Sequence, residues 1–505
     1  MTPPQTQARA SAPTLSVTEP MVATASAPKP VPVSSRLEGT SSPAERFRRN
    51  VRVFEMLADL LTVAVAVRSS YAIYYELNLG KHIHYPGRLV MGVASGFAVL
   101  FVLMLDREGA YNHGSGLLRV KDTERILRVT FESFLLAFAT TFFTGTLFSR
   151  WFLVTASTVI PITLLLQKLG FYMLVRALHS NGYGRERVLI CGSGILGRRV
   201  FSVFKRSPKL GLDPVALIDD DPDSIGTAVY GMSYGRRDST QVIQGPVTRQ
   251  LVSQHSADLL VIADPTMSNN EFRHLVEEAL AAGARVSFVP THFAPADAWI
   301  DYEEVDGILL ASFSRAGRQS VRDTLKTLTD FVLSLTTVII GSPLLLLLAL
   351  LVRLDSKGSI MFTQLRVGLN GRPFRLFKFR TMRIDAPPYE HSPTSPSDPR
   401  ITRVGRFLRR TSLDELPQLL NVLRGDMSLV GPRPEMPFIV EQYNEVHRQR
   451  QQVKPGITGL WQLSGDRAYH IHENIEYDLY YIRNQGFFLD LAILLHTVFF
   501  AMRGI

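Results

Sequence analysis

The sequence of 505 residues contains a single cysteine, Cys191, which excludes an intrachain disulfide and is compatible with a reducing compartment. Its first 45 residues contain no aromatic residue and are rich in proline, serine, threonine and alanine. Such a segment cannot bury enough apolar surface to fold, so we predict a disordered tail at 1–45. The tail also lacks the charged start, apolar middle and cleavage site of a secretory signal, so we expect the N-terminus to stay in the cytoplasm.

Acidic residues are in deficit, with 45 Asp and Glu against 55 Lys and Arg and a formal net charge of +10. Hydrophobic residues make up 46% of the chain and gather in blocks with cations beside them. This arrangement favours lipid and phosphate as partners over nucleic acid. The length predicts about three folded units. We therefore expect a membrane α-helical region joined to α/β domains.

Four apolar blocks follow the tail, each near the ~20 residues that cross a bilayer as a helix. They are 54–74, 89–105, 129–148 and 151–175. Basic residues precede the first block and fill the loop between the second and third, whereas only Arg150 separates the third from the fourth. By the positive-inside rule, four transmembrane helices within 46–178 leave everything after Arg176 in the cytoplasm. Glu132, inside the third block, is either a functional residue or a helix-packing contact.

Residues 185–313 have the pattern of a Rossmann-like α/β module. A short apolar strand is followed by Gly192, Gly194 and Gly197, which open a helix. A second strand ends at Asp219. This order brings backbone N–H groups to a pyrophosphate and a carboxylate to a ribose hydroxyl, so the four residues form a candidate nucleotide site. A scaffold whose glycines only permit the turn is the alternative. Strands are predicted at 188–191, 214–218, 259–263 and 284–290, with a helix at 270–282.

A further apolar run covers 328–352 and has Ser342 and Pro343 in its middle. Proline removes a backbone donor and clashes with the preceding turn, so we predict a break there. Both flanks are basic, which predicts a re-entrant helix at 326–353 that bends and returns to the same membrane face. The alternative is a straight spanning helix with a proline kink.

The C-terminal region carries two adjacent carboxylates, Asp414 and Glu415, which can supply a nucleophile and a metal ligand for phosphoryl transfer. Five arginines between positions 400 and 410 precede the pair, and their charge would lower a carboxylate pKa and attract phosphates. The pair falls in the first turn of a helix predicted over 413–423, with Ser412 as its cap.

Other segments place cations near this pair. Apolar and basic residues alternate from Phe377 to Arg380, which predicts a half-buried strand with Lys378 and Arg380 on one face. Two prolines flank Arg433 and predict a rigid turn that holds it toward the site. The final apolar stretch, 487–503, is too interrupted to span a membrane, and predicts a helix lying in the interface or, alternatively, an ordinary buried helix.

Together these motifs resemble the bacterial polyprenyl-phosphate sugar-1-phosphate transferases, the monotopic phosphoglycosyl transferases that start exopolysaccharide and O-antigen synthesis. The resemblance covers roughly residues 321–505, and in outline the upstream helices and α/β module. The motifs that carry it are Ser342-Pro343, Lys378-Phe379-Arg380-Thr381-Met382, Ser412-Leu413-Asp414-Glu415-Leu416-Pro417-Gln418, Gly431-Pro432-Arg433-Pro434, Lys454-Pro455-Gly456-Ile457-Thr458-Gly459 and Glu476-Tyr477-Asp478-Leu479-Tyr480-Tyr481.

The resemblance implies a catalytic domain at 321–505, on the cytoplasmic face of the bacterial inner membrane. It implies that Asp414 attacks the β-phosphate of a UDP-sugar and releases UMP, with Mg²⁺ bound by Glu415 beside Asp414. Undecaprenyl phosphate then accepts the phosphosugar from Asp414. It further implies that Lys378, Arg380 and Arg433 contact phosphates and that Asp478 completes the site. Glucose-1-phosphate is the expected group and galactose-1-phosphate the nearest alternative.

Two other functions are compatible with parts of the sequence. One is a nucleotide-sugar oxidoreductase built on the glycine turn, but no Tyr-x-x-x-Lys spacing occurs in the chain, so the catalytic pair of short-chain sugar dehydratases and epimerases is missing. The other is a membrane-anchored nucleotide sensor. For the α/β module we expect a regulatory or dimer-forming role, so a homodimer is among the expected partners.

Overall fold

The computed structural model describes residues 43–80, 84–111, 118–144, 148–206, 211–233, 236–289, 298–305, 308–315, 320–384, 398–463 and 475–501. The predicted tail lies outside these residues up to position 42. Long helices come first in the described chain, then a sheet, then a second set of helices and short strands.

The four N-terminal apolar blocks form four long helices, as the sequence predicts. They are α1 (Pro43–Glu76), α2 (Gly87–Arg107), α3 (Leu118–Thr144) and α4 (Arg150–Ser180). By length and composition, α2, α3 and α4 can cross a membrane, and helix Ser320–Asp355 is the fourth such helix in the described part of the chain. Helix α1 is not in this set, since Glu55, Asp59 and Arg68 interrupt its apolar run.

Two of the charges in α1 lie inside the helix bundle. Lys168 of α4 places its Nζ 2.6 Å from Glu55 Oε1 and 2.7 Å from Asp59 Oδ2. Tyr111 donates a hydrogen bond of 2.9 Å to Asp59. Buried charges persist only when they are paired, so this cluster joins α1 to α4 instead of exposing α1 to solvent.

Glu132 of α3 is explained by helix packing. Its Oε2 lies 2.9 Å from Arg107 Nη2, at the C-terminal end of α2. The pair joins two neighbouring helices where the basic loop begins. Of the two alternatives that the sequence leaves open, the structure favours the packing contact.

A six-stranded sheet follows α4, in the strand order β3-β4-β2-β1-β5-β6. Neighbouring strands are parallel except β3, which is antiparallel to β4. Its strands and helices are β1 (Glu186–Cys191), α5 (Ile195–Arg206), β2 (Leu212–Asp219), β3 (Ala228–Ser233), β4 (Arg236–Gln244), α6 (Arg249–Gln254), β5 (Leu259–Ile262), α7 (Asn269–Ala281) and β6 (Arg285–Phe288). The four predicted strands and the predicted helix are confirmed. The edge pair β3 and β4 was missed because its residues form no apolar run.

The remaining elements build a hairpin and the C-terminal region. They are β7 (Ala298–Val305), β8 (Ile308–Arg315), α8 (Ser320–Asp355), β9 (Met361–Val367), β10 (Pro373–Phe379), α9 (Arg403–Thr411), α10 (Leu419–Arg424), β11 (Ser428–Val430), α11 (Pro437–Val440), α12 (Glu445–Arg448), β12 (Gly456–Thr458), α13 (Leu460–Leu463), α14 (Ile475–Asn484) and α15 (Phe487–Ala501). Strand β10 pairs antiparallel with β9, which confirms the predicted strand around Lys378. Strands β11 and β12 pair in parallel.

Helix α8 differs from its prediction in one respect. The helix continues through Pro343 without interruption, and Ser342 Oγ donates to the carbonyl of Ile339 at 2.8 Å. The predicted break does not divide α8 into two helices. The serine hydroxyl satisfies the carbonyl in the turn before the proline, which has no N–H to donate. A bend of the helix axis stays a prediction.

Helix α15 packs between the C-terminal core and the membrane bundle. Leu489, Ala492 and Ile493 are buried in the core that also contains Val120 of α3. The ring of Phe488 lies tilted against that of Phe131 of α3, with ring centroids 5.7 Å apart. One side of α15 is therefore buried, while Phe487, Val498 and Phe499 are exposed. A position of this helix in the membrane interface stays a prediction.

The cluster around Lys168 yields a prediction about the stability of the bundle. We expect Lys168→Met to destabilise the protein by about 3–5 kcal/mol, because two carboxylates would remain buried without their cation. Thermal unfolding of the detergent-solubilised protein measures the effect. Arg52→Gln is the control, since it removes a more exposed partner of Asp106 in the same bundle. Equal melting temperatures for Lys168→Met and wild type would contradict the prediction.

Candidate active site

The carboxylate pair lies in a short 3-10 helix, Leu413–Gln418, that follows directly on α9. Ser412 lies between α9 and this 3-10 helix. Its φ of 56° is in the left-handed region, and its backbone N–H contacts the carbonyls of Leu408 and Arg409. Ser412 therefore ends α9, and its side chain does not cap the next helix as predicted. The tight reversal brings Asp414 and Glu415 back toward the β9–β10 hairpin.

Glu415 is held by two cations from separate segments. Lys378 Nζ, from β10, lies 2.6 Å from Glu415 Oε1, and Arg433 Nη2 lies 3.4 Å from the same oxygen. Burial by itself would raise the pKa of Glu415, but the charges of Lys378 and Arg433 outweigh burial and hold it at about 2. Glu415 is therefore a fixed anion, and the predicted approach of Arg433 to the site is confirmed.

Asp414 has the opposite electrostatic setting. Burial raises the pKa of its carboxyl, and the neighbouring charge of Glu415 adds to the rise. Lys378 and Arg409 oppose these effects without cancelling them. The two adjacent carboxylates thus differ strongly in pKa. The pKa of Asp414 is raised, whereas Glu415 stays ionised.

Asp478 does not reach the carboxylate pair. It is fully buried and pairs with Arg450, whose Nε lies 2.7 Å from Asp478 Oδ2. Arg450 Nη2 donates to the backbone carbonyl of Arg433 at 3.0 Å, and its Nη1 donates to Tyr443 Oη. Asp478 therefore supports the Arg433 turn through Arg450, because a buried guanidinium needs an anion beside it.

Arg380 also lies away from the pair, although it shares a strand with Lys378. Its guanidinium donates to the carbonyls of Ser356 (2.7 Å) and Lys357 (2.9 Å). These carbonyls follow the C-terminal end of α8, where a cation is favoured by the helix dipole. Arg380 therefore anchors the end of α8 in the C-terminal domain, and its contact with phosphate stays a prediction.

Three further arginines support the site, and the sequence singled out only Arg409 among them. Arg409 acts on Asp414, Arg450 supports the Arg433 turn, and Arg366 donates to the carbonyl of Pro434 at 3.2 Å. Burial and the nearby charge of Arg433 lower the pKa of Arg366 to about 10. Arg409 belongs to the predicted cationic cluster, but Arg366 and Arg450 stand in ordinary polar surroundings and give no signal of their own.

The glycine turn of the α/β module is separate from this site. Its predicted residues do come together, since the Ser193 N–H donates to Asp219 Oδ2 at 2.6 Å and a Cβ at Gly197 would lie 1.8 Å from the Gly192 carbonyl oxygen. Only glycine permits that helix-to-strand contact. Asp219 Oδ1 also accepts from the Asp221 N–H at 3.0 Å. Nucleotide binding at Gly192, Gly194, Gly197 and Asp219 stays a prediction.

The donor atoms at the pair suit a hard divalent cation that also binds phosphate. Both cationic contacts of Glu415 go to one oxygen, Oε1. Mg²⁺ is commonly bound by one or two carboxylates together with substrate phosphates. The described residues contain no cluster of three or more metal-ligating side chains, so substrate oxygens and water would have to complete the coordination.

Two known families match separate parts of the chain. Residues 321–504 match the family described as bacterial sugar transferase. Residues 107–290 match a family described as CoA-binding domain. The carboxylate pair, the β9–β10 hairpin and the Arg433 turn all lie within the first match.

Three relatives extend the similarity over most of the chain. A Klebsiella pneumoniae protein named UDP-glucose:undecaprenyl-phosphate glucose-1-phosphate transferase is 32% identical over 363 residues, which cover 70% of this chain and 74% of that protein. An Escherichia coli K12 protein of the same name is 32% identical over 333 residues, with 64% and 69% covered. The UDP-galactose-lipid carrier transferase of Erwinia amylovora is 30% identical over 345 residues, also with 64% and 69% covered.

The raised pKa of Asp414 predicts how this residue affects stability. The folded protein holds the Asp414 proton more tightly than the unfolded chain, whose carboxyl has the ordinary value of 3.8. Stability therefore falls as pH rises from 3.8 through the folded-state pKa, and ionised Asp414 destabilises the fold above it. We expect Asp414→Asn to melt a few degrees higher than wild type at pH 7, with a smaller difference at pH 4.

Thermal melts of the detergent-solubilised protein at both pH values measure this effect. Glu441→Gln, which changes an exposed carboxylate of the same domain, controls for the general loss of one negative charge. A lower melting temperature for Asp414→Asn than for wild type at pH 7 would show that Asp414 stabilises the fold, contrary to the prediction.

Proposed function

The chain belongs to the bacterial sugar transferase family, and we propose that it transfers hexose-1-phosphate from a UDP-sugar to undecaprenyl phosphate through a phosphosugar carried on Asp414. The observation that carries this proposal is that a half-buried Asp414 with a raised pKa lies next to Glu415, which Lys378 and Arg433 hold in place. Such a site presents a nucleophile beside fixed positive charge, which is what transfer from a diphosphate requires.

In the first step, a carboxylate oxygen of Asp414 attacks the β-phosphorus of the UDP-sugar. The bond from this phosphorus to the bridging oxygen breaks, and UMP leaves with that oxygen. In the second step, a phosphate oxygen of undecaprenyl phosphate attacks the same phosphorus and the aspartyl bond breaks. The products are undecaprenyl diphosphate sugar and a regenerated Asp414 carboxylate. Two steps allow a soluble donor to leave before a lipid acceptor arrives.

Lys378 and Arg433 supply the charge that these steps need. Both already point at the carboxylate pair, so they can bind diphosphate oxygens without a large rearrangement. Burial keeps Asp414 poorly stabilised as an anion, which makes it a better nucleophile than a carboxylate of ordinary pKa. Asp478 and Arg450 contribute by fixing the backbone that carries Arg433.

Glu415 and Asp414 would hold Mg²⁺ together with the donor diphosphate. When bound, the ion would neutralise charge that builds on the leaving UMP. Glu415 suits this role because its pKa of about 2 keeps it ionised at every physiological pH. Lys378 and Arg433 can then turn from Glu415 to the phosphate oxygens.

Glucose-1-phosphate is the group we propose to be transferred. The Klebsiella and Escherichia relatives are named as glucose-1-phosphate transferases, while the Erwinia relative is named for UDP-galactose. These relatives are all transferases, so the oxidoreductase alternative has no support among them. Comparing UDP-glucose with UDP-galactose as donors tests the choice of sugar.

We also propose that α8 bends and returns to the cytoplasmic face. Near its start, Lys326 pairs with Asp490 at 2.7 Å, and near its end, Leu348 and Val352 pack in a cluster with Phe379. A straight helix would separate Lys326 from Asp355 by about 44 Å. Contacts of both ends with the C-terminal domain, and exposed apolar residues such as Ile340 between them, support the re-entrant path.

The proposed reaction predicts a covalent intermediate. Wild-type protein incubated with UDP-glucose radiolabelled in the sugar, and without acceptor, should retain label after denaturing electrophoresis. Asp414→Asn should lose this adduct and lower UMP release on the order of 10³-fold or more, because the nucleophile is gone. Asp426→Asn, a nearby carboxylate outside the pair, should retain both.

Two outcomes would contradict the proposal. One is near-wild-type UMP release by Asp414→Asn. The other is wild-type turnover, on addition of undecaprenyl phosphate, with no label trapped under any quench. Chelation by EDTA should stop UMP release, and full activity in EDTA would remove Mg²⁺ from the proposal.

The proposed path of α8 predicts which face of the membrane its end occupies. With Cys191→Ala as background, Lys357→Cys should resist a membrane-impermeant maleimide in intact spheroplasts and react after permeabilisation. Arg150→Cys, between α3 and α4, is the control that should react in both. Lys357 is preferred to Gly358, because a Cβ at Gly358 would lie 2.1 Å from Arg380 Nη1. Labelling of Lys357→Cys in intact spheroplasts would establish a straight spanning helix instead.

A further inference from the structure

Helix α9 turns one face of arginine and phenylalanine outward. Arg403, Arg406, Phe407 and Arg410 are exposed, and spacings of three, four and seven residues put them on the same side of the helix. On the other side, Leu408 is fully buried in a cluster with residues of α8 and β10. The outward face, called here the arginine face, therefore does not hold α9 in the fold.

The positive charge of the arginine face is not neutralised within the protein. Among the residues that the structure describes, its three arginines have no ion pair, whereas Arg400 shortly before them pairs with Asp398 at 2.8 Å. Three more cations, Arg353, Lys357 and Arg383, are exposed on the segments next to α9. A surface of this kind attracts an anionic partner.

The contact between α8 and α9 puts the arginine face beside the membrane. The Val404 N–H, in the first turn of α9, donates to Asp355 Oδ2 at the end of α8, at 2.9 Å. Helix α8 is apolar enough to enter a membrane, and its exposed apolar residues continue to Leu354, which is 73% exposed. Exposed leucines on such a helix are expected to face lipid. Helix α9 therefore begins where the lipid-facing surface of α8 ends.

We propose that the arginine face docks on anionic phospholipid headgroups at the membrane surface where α8 ends. The negative surface charge of such a leaflet complements the three arginines, and zwitterionic lipids lack it. Phe407, which is 53% exposed between the arginines, suits insertion among the headgroups, as in helices that lie in the interface.

Docking of α9 also positions the candidate active site. Helix α9 leads through Ser412 directly into the 3-10 helix that carries Asp414 and Glu415. Headgroups that hold α9 thus hold the carboxylate pair at the depth of the lipid phosphates. Each cation near an anionic surface strengthens attachment by about fivefold. Because long apolar helices already keep the protein in the membrane, loss of the arginines should move α9 without releasing the protein.

The direct test follows the surroundings of α9 in the full-length protein. With Cys191→Ala as background, Phe407→Cys is labelled with an environment-sensitive nitrobenzoxadiazole fluorophore. The protein is then placed in nanodiscs of phosphatidylcholine, or of phosphatidylcholine with about 30% phosphatidylglycerol. We expect the emission to shift to shorter wavelength, and quenching by iodide to decrease, only in the anionic nanodiscs.

Two triple variants show whether the arginine face causes this shift. The test variant, Arg403→Gln, Arg406→Gln and Arg410→Gln combined, should lose the shift. The control variant removes three exposed arginines elsewhere in the same domain and should keep it; its changes are Arg372→Gln, Arg375→Gln and Arg448→Gln.

Turnover of UDP-glucose and undecaprenyl phosphate gives a second readout without a label, and this readout alone rests on the proposed function. Wild type and the control variant should turn over about fivefold faster in the anionic nanodiscs. The test variant should be equally slow in both lipids. About 0.5 M NaCl should remove the difference for wild type, because salt screens exposed charges.

The inference is overturned if the label gives the same emission in both lipids, or if the test variant keeps the shift. It is also overturned if the test variant raises KM for a substrate by the same factor in both lipids while its label still shifts, since the face would then bind substrate phosphate. A lipid-dependent shift in a protein without turnover would support docking and overturn the proposed function instead.

Discussion

The site depends on one carboxylate oxygen, Glu415 Oε1, that contacts both Lys378 and Arg433. These three residues come from the 3-10 helix after α9, from β10 and from the turn after β11, so one anion joins three segments that are distant in sequence. Without it, Lys378 and Arg433 would repel each other. The contacts of Glu415 with Lys378 and Arg433 also hold positive charge beside Asp414. Glu415 therefore serves both the fold and the proposed chemistry.

The difference between Asp414 and Glu415 follows from this arrangement. Both residues are removed from water, and burial disfavours the charge of each. Only Glu415 receives direct contacts from two cations, so its pKa falls to about 2 while that of Asp414 rises. Adjacent carboxylates in a uniform environment would be equivalent. Here the neighbouring segments keep Glu415 ionised and leave the pKa of Asp414 raised.

The N-terminal helix bundle and the C-terminal domain pack directly against each other in one hydrophobic core. Val120 of α3 is buried with residues of α10, β11 and α15, and Thr123 Oγ1 lies 2.9 Å from His496 Nε2. Lys121 also lies over the ring of Tyr480 at 5.7 Å from its centroid. These contacts set the height of the C-terminal domain relative to α3, because a buried packing surface admits little sliding.

The sequence by itself determined the four N-terminal helices, the parallel strands and the Asp414–Glu415 pair, because apolar periodicity and adjacent charged residues are local properties. It also placed Lys378 and Arg433 near the pair. Only the tertiary structure decided that Arg380 anchors α8, that Asp478 pairs with Arg450, and that Arg366 and Arg450 belong to the Arg433 turn. Motif membership does not specify which partner a buried ion finds. That choice depends on which segments the fold brings within about 3 Å of one another, where desolvated charges must pair.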